Sequence, residues 1–248
     1  MRIWQQCHGT HHIQTLTGII YRLAESQEQI ATRRYVDSLQ EQAVLEELLE
    51  TSKPVYDDCP QLDYLLRTPF RYPPLKHGSR FGQTHERGLF YGAETVHTTL
   101  AETAFYRFLF FHHITTHPKD TLSSEHTIFS ASYHTPRGIQ LHSPPFNLYA
   151  QQLRDPVDYR LTQQLGHDMR QANIQGFQYE SARDTNKGIC IAFFSPEVFT
   201  TEKPLEKTTW FCDITAKTVS FKQLQHKEVI VFGLEQFLVD GQLPAPAA

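Results

Sequence analysis

The chain of 248 residues lacks most of the features that would classify it at a glance. It has no surplus of positive charge: 23 Lys and Arg against 27 Asp and Glu leave a formal net charge of −4, with an isoelectric point near 6.4. Without a basic footprint, direct nucleic-acid binding is not expected. No stretch approaches the roughly 18 consecutive apolar residues that a membrane span needs. The opening MRIWQQCHGTHHIQ has no apolar core of a secretory signal, so the expected location is the cytoplasm. Cysteine is scarce. Cys7, Cys59, Cys190 and Cys212 form no C-x-x-C pair, and Cys190 lies in the apolar run GICIAFF, where a buried reduced thiol is expected rather than a disulfide. There is no G-x-G-x-x-G, no Walker sequence and no G-x-S-x-G elbow around Ser181, which removes Rossmann, P-loop and serine-hydrolase readings. Internal repeats are absent as well.

Histidine, by contrast, is plentiful, with 14 residues. The clusters Cys7-His8 with His11-His12, and His112-His113 with His117, invite a metal reading. Neither brings a full ligand set at the required spacing, so no metal is expected. His112 and His113 close a helix, where an imidazolium favours the dipole.

Mean hydropathy is −0.45, and 40% of the residues are hydrophobic, which suits a soluble globular chain. In IQTLTGIIYRLAES, Leu16, Ile19, Ile20 and Leu23 recur at helical spacing, and RRYVDSLQEQAVLEELLETSKP carries a second stripe from Val36 to Leu49 that Pro54 stops. Together they predict an N-terminal helical hairpin. Prolines 54, 60, 69, 73 and 74 then predict an extended segment around Phe70, Arg71 and Tyr72. SRFG and GLFYG read as short strands, ETVHTTLAETAFYRFLFFHH as a helix, and TIFSASYH as a strand. A helix ending near Gly176 follows, and then β-rich runs of antiparallel character. Strands and helices mix without βαβ regularity, so the class is α+β. The expected organisation is a helical extension over 1–66, a catalytic domain over 67–240 and a disordered tail over 241–248.

Arg80, Tyr91 and Glu102 fall at equal intervals of eleven, on three successive elements. Glu102 stands beside Leu100, Ala101 and Ala104, at a seam where a carboxylate needs a partner, and Arg80 is a candidate for it. A second patch, QYESARD, puts Ser181, Arg183 and Asp184 just before Asn186-Lys187-Gly188 and a buried strand. Hydroxyl, guanidinium and backbone N–H groups in such a loop suit a phosphate contact.

In this order FRYPP, SRFG, LFYGAE, TTLAE and YESAR resemble the RES-domain family, over about Phe70 to Phe194. Members of that family are toxins of bacterial toxin–antitoxin pairs. The resemblance implies an ADP-ribosyltransferase-like fold with a mixed, bent sheet and flanking helices. It also implies destruction of NAD⁺, by phosphorolysis with inorganic phosphate as co-substrate or by hydrolysis, with no cofactor. Carried over by residue, Glu102 is the essential carboxylate, Arg80 and Arg71 bind NAD⁺, and Tyr91 is the nicotinamide-side aromatic. Tyr72, Ser181, Arg183 and Asn186 join the NAD⁺ and phosphate contacts. Gly82 and Glu180 depart from the Asn and Pro of many relatives. The implied partner is an Xre-type helix-turn-helix antitoxin, in an assembly that could be a homo-oligomer or a toxin–antitoxin multimer. The competing expectations are ADP-ribosyl transfer to a macromolecule, and an interaction protein that keeps the fold without catalysis.

Overall fold

The computed structural model describes residues 2–25, 38–52, 59–72, 77–114 and 121–245. Its first short helix is α1 (Ile3–Gln6), followed by β1 (Gln14–Glu25). Helices α2 (Leu39–Ser52) and α3 (Tyr64–Arg71) precede β2 (Phe90–Ala93) and the long α4 (Val96–His113). Then come β3 (Leu122–Gln140), α5 (Ala150–Leu153), α6 (Arg160–Gln171), β4 (Gly176–Glu180) and β5 (Ile189–Phe193). Three antiparallel strands complete the chain: β6 (Glu206–Ile214), β7 (Thr218–Gln223) and β8 (Val229–Gly233). The class is α+β, with one mixed sheet of eight strands in the order β1-β2-β5-β4-β3-β6-β7-β8.

An additional pairing of β1 with β3 closes the first five strands into a ring. Strand β3, 19 residues long, makes this possible because its segments serve different neighbours. Residues 122–130 pair with β6, residues 126–138 with β1, and residues 138–140 run parallel to β4. All other pairings are antiparallel. A sheet that bends back on itself leaves fewer exposed strand edges.

The N-terminal segment corrects the expected helical hairpin. Residues 14–25 are strand β1, paired in register with β3 from Leu16↔Thr135 to Glu25↔His126. Leu16 and Ile20 are buried in one cluster, while Tyr21 and Leu23 pack against another. A spacing of four is common to a helix face and to one face of a strand, so the pair Leu16/Ile20 fits both. Thr15, Thr17, Ile19 and Ile20 are β-branched and favour the pleat. Residues 1–66 are therefore no separate helical extension, since β1 belongs to the sheet of the main domain.

Helix α2 occupies the second predicted helical stretch, although Val36 and Pro54 lie outside the described residues. The segment expected to be extended around Phe70 is instead helix α3. Asp63 caps it by accepting from the Leu65 N–H at 2.9 Å, and burial of Leu65, Leu66 and Phe70 outweighs the one backbone bond that Pro69 removes. SRFG is a turn closed by the bridge Ser79↔Gly82, not a strand. Of the expected tail, Pro244 is buried and Leu243 packs on the core, and residues 246–248 lie outside the described residues.

Helix α4 spans the sheet as its sequence predicts. Thr95 caps it by accepting from the Thr98 N–H at 3.1 Å. Leu100, Ala104, Phe108, Ala101, Phe105 and Leu109 are all buried. Placing the helix against β6, β7 and β8 leaves the edge with Glu102 and Tyr106 facing a cleft. No helix among the described residues is long and apolar enough to cross a membrane.

Candidate active site

A cleft of about 550 Å³ opens between β1, β2, α3, α4 and the turn at residues 78–80. Glu102 is its sole lining carboxylate among the described residues, and Arg22 and Arg80 are its two lining cations.

Glu102 sits two turns into α4 and accepts the Ser181 hydroxyl proton at 2.5 Å, with the Cys190 thiol 3.6 Å away. Ser181 is itself held fast, because its oxygen accepts the N–H groups of Arg183 (3.0 Å) and Asp184 (2.9 Å). Asp184 in turn accepts from the Thr98 hydroxyl at 2.8 Å. The loop after β4 is thus pinned to α4 at Thr98 and Glu102, one turn apart. This contact requires a glycine at 188, since a Cβ there would stand 2.0 Å from the Thr98 hydroxyl. Burial pushes the Cys190 thiol well above its ordinary pKa, and the neighbouring Glu102 adds to the shift, so the sulfur stays protonated.

Arg80 is buried and anchored from one side. Its Nη1 donates to the carbonyls of Leu153 (3.3 Å) and Asp155 (2.8 Å), its Nη2 approaches the Tyr159 hydroxyl at 3.4 Å, and its guanidinium lies over the Tyr159 ring at 4.5 Å. Tyr91 ends near the same turn. Its hydroxyl bonds with that of Ser79 at 2.8 Å and accepts the Phe81 N–H at 3.1 Å. Burial pushes the Tyr91 phenol up to about 12, against the opposing pull of these two bonds, so it is neutral near pH 7. Burial also raises the Tyr179 phenol well above its ordinary value, and Tyr179 and the half-exposed Tyr106 both line the cleft.

Arg22 was not singled out by the sequence. It projects from β1, donates to the Tyr91 carbonyl and lies 4.9 Å over the Phe90 ring. Burial lowers its pKa to about 10, which leaves it charged at neutral pH. Reading IIYRLA as a strand would have marked it, because a cation amid the apolar residues of a half-buried strand needs a reason.

The structure brings Arg80, Tyr91, Glu102 and Tyr72 into the cleft lining, with Ser181 directly behind Glu102. Arg71 ends α3 and is not among the lining residues; the second guanidinium is that of Arg22. Arg183 does not reach the cleft either. It donates to the Pro156 carbonyl and the Tyr159 hydroxyl, both at 3.0 Å, and its guanidinium stacks 3.4 Å over Phe105. Asn186 occupies an exposed turn, where its backbone N–H bonds to Asp184 at 2.9 Å. Tyr159, Tyr179 and Cys190 complete the wall. They escaped the sequence reading because their elements meet only through the ring of strands.

The cleft thus combines two guanidiniums, which can hold an anionic group, with one anchored carboxylate, which can stabilise positive charge. The chain belongs to the RES-domain family, whose model matches residues 55–214. No curated protein matches it in sequence. A solved structure similar to it is the crystal structure of the M. tuberculosis MbcT–MbcA toxin–antitoxin complex, at a TM-score of 0.49 and 11% identity, covering 86% of this chain and 92% of that chain.

Proposed function

We propose that this protein degrades NAD⁺ by breaking its nicotinamide–ribose bond, with inorganic phosphate or water as the acceptor. The observation that carries the reading is the single carboxylate: Glu102, fixed by Ser181, shares the cleft with Arg22 and Arg80. Cleavage of an N-glycosidic bond passes through an oxocarbenium-like sugar. Ordinary glycosides need a second carboxyl group to protonate the leaving oxygen. Nicotinamide leaves a cationic nitrogen as a neutral molecule, so one carboxylate suffices. Glu102 stabilises the developing charge, and Arg80 and Arg22 hold the pyrophosphate by charge-assisted bonds.

The products are nicotinamide and ADP-ribose-1″-phosphate, or ADP-ribose when water is the acceptor. In this reading the protein is a cytoplasmic toxin, held in check by an Xre-type helix-turn-helix antitoxin that covers the cleft or its mouth. The family resemblance supports that partner. The deciding experiment incubates the purified chain with NAD⁺, with and without phosphate. Phosphate-dependent loss identifies a phosphorylase, phosphate-independent loss a glycohydrolase, and ADP-ribose attached to protein or nucleic acid a transferase. Expression of the chain alone should lower cellular NAD⁺ and arrest growth. Absence of NAD⁺ turnover under every condition refutes the enzymatic reading.

A further inference from the structure

Tyr159 lines the cleft beside Arg80, and its backbone is held by two hydrogen bonds. It immediately precedes α6, and its carbonyl accepts from the Gln163 N–H at 2.8 Å and the Thr162 hydroxyl at 3.0 Å. The residue is 3% exposed. Its hydroxyl oxygen accepts from Arg183 at 3.0 Å and from Arg80 at 3.4 Å.

A phenolic oxygen offers acceptor lone pairs and one proton. The two guanidiniums occupy the acceptor side. The proton finds no acceptor among the described residues, although Tyr159 lines the cleft. Arg80 is in a matching condition. Three of the five N–H groups of a guanidinium go to Leu153, Asp155 and Tyr159, which leaves two for a ligand. A phenol flanked by two cations is a strong donor, and the ligand atom that suits it carries negative charge.

We propose that Tyr159 donates its hydroxyl proton to a phosphoryl oxygen of the bound substrate, so that Tyr159 and Arg80 together form the phosphate-holding wall of the cleft. Arg183, expected from the sequence to touch phosphate itself, acts through Tyr159 as a positioning residue. The assignment rests on the reading of the cleft as an NAD⁺ site.

The test compares the full chain with its Tyr159→Phe variant, which keeps the ring beneath Arg80 and removes only the hydroxyl. Inorganic pyrophosphate and adenosine are titrated separately by calorimetry, with melting temperature and NAD⁺ consumption measured on the same preparations. The variant should bind pyrophosphate about 10- to 100-fold more weakly, the range expected for a hydrogen bond to a charged group, while adenosine affinity stays unchanged. Equal pyrophosphate affinity in the folded variant overturns the proposal. So does an equal loss for both probes, which marks a misshapen cleft, and so does a parent protein that binds no pyrophosphate. Consumption of NAD⁺ by a parent whose pyrophosphate affinity ignores the substitution refutes this inference alone. Tyr159-dependent pyrophosphate binding without NAD⁺ turnover refutes the proposed reaction and keeps the phosphate wall.

Discussion

Glu102 and Ser181 meet at 2.5 Å, and their contact governs what a substitution at the carboxylate does. A glutamine at 102 can still accept the Ser181 proton through its amide oxygen, so the local shape survives and only the charge is lost. If that charge acts mainly in the transition state, Glu102→Gln should lower turnover about 10²–10³-fold with NAD⁺ affinity nearly intact. Steady-state rates and equilibrium binding on one preparation check this; a folded variant that consumes NAD⁺ at the parental rate removes the mechanism. Arg80, Tyr91 and Glu102 were legible because they lie close together in the chain, each inside a short motif. Arg22 was not. It lies 58 positions before Arg80, in a segment whose Leu16 and Ile20 satisfy a helix as well as a strand. Arg183 misled for a physical reason: a guanidinium beside a serine loop suits a phosphate, yet here Phe105 and the Tyr159 hydroxyl claim it.

At the scale of elements, two contacts set how helices hold the site. Gly166 lies inside α6, where alanine would ordinarily favour the helix by up to about 1 kcal/mol. A Cβ there would stand 1.9 Å from the Phe81 carbonyl oxygen, a backbone atom of the turn that carries Arg80. The collision decides the sign. Gly166→Ala should cost roughly 1–3 kcal/mol, as overpacking does, and weaken binding of pyrophosphate; chemical denaturation and calorimetry read the two effects.

The second contact ties α4 to β3 through a buried imidazole. Ser124 accepts from Arg107 at 2.7 Å and bonds with His126 Nε2 at 2.9 Å, which places the imidazole beside a guanidinium. Burial, reinforced by the nearby Arg107 cation and opposed by Glu25, lowers the His126 pKa to about 4 from its ordinary 6.5. The folded chain refuses a proton that the unfolded chain accepts. Stability is therefore fully present above about pH 6.5 and falls as the pH drops toward 4, by about 2 kcal/mol between pH 7 and 5. Urea denaturation at both pH values should show that loss, and His126→Gln should reduce it. Helix α4 and the late strands β4 to β8 were readable from their own periodicity. Strand β1, helix α3 and the 78–82 turn were not, because tertiary pairing and burial override local pattern there.

Across the whole molecule, the segment matched by the family model is smaller than the unit that holds the site. Residues 55–214 omit β1, β7 and β8. Without β1 the ring opens, Arg22 is gone, and buried Leu16 and Ile20 no longer cover their cluster. Each such side chain contributes about 1.5–3 kcal/mol, against a typical total stability of about 5–15 kcal/mol. A 55–214 fragment should show no cooperative melting transition and no NAD⁺ turnover; a sharp transition with pyrophosphate binding would contradict the closed-ring account. The same closure has a consequence in time. Strand β1 leaves the ribosome before its partner residues in β3, which follow about a hundred residues later, and β5 comes later still. At about 5–20 residues per second during synthesis, β1 waits on the order of ten seconds for its neighbour. The cleft needs Arg22 from β1 and Cys190 from β5. Between the synthesis of β1 and that of β5 a growing chain consequently carries no complete cleft, and the site arises only once β5 has joined.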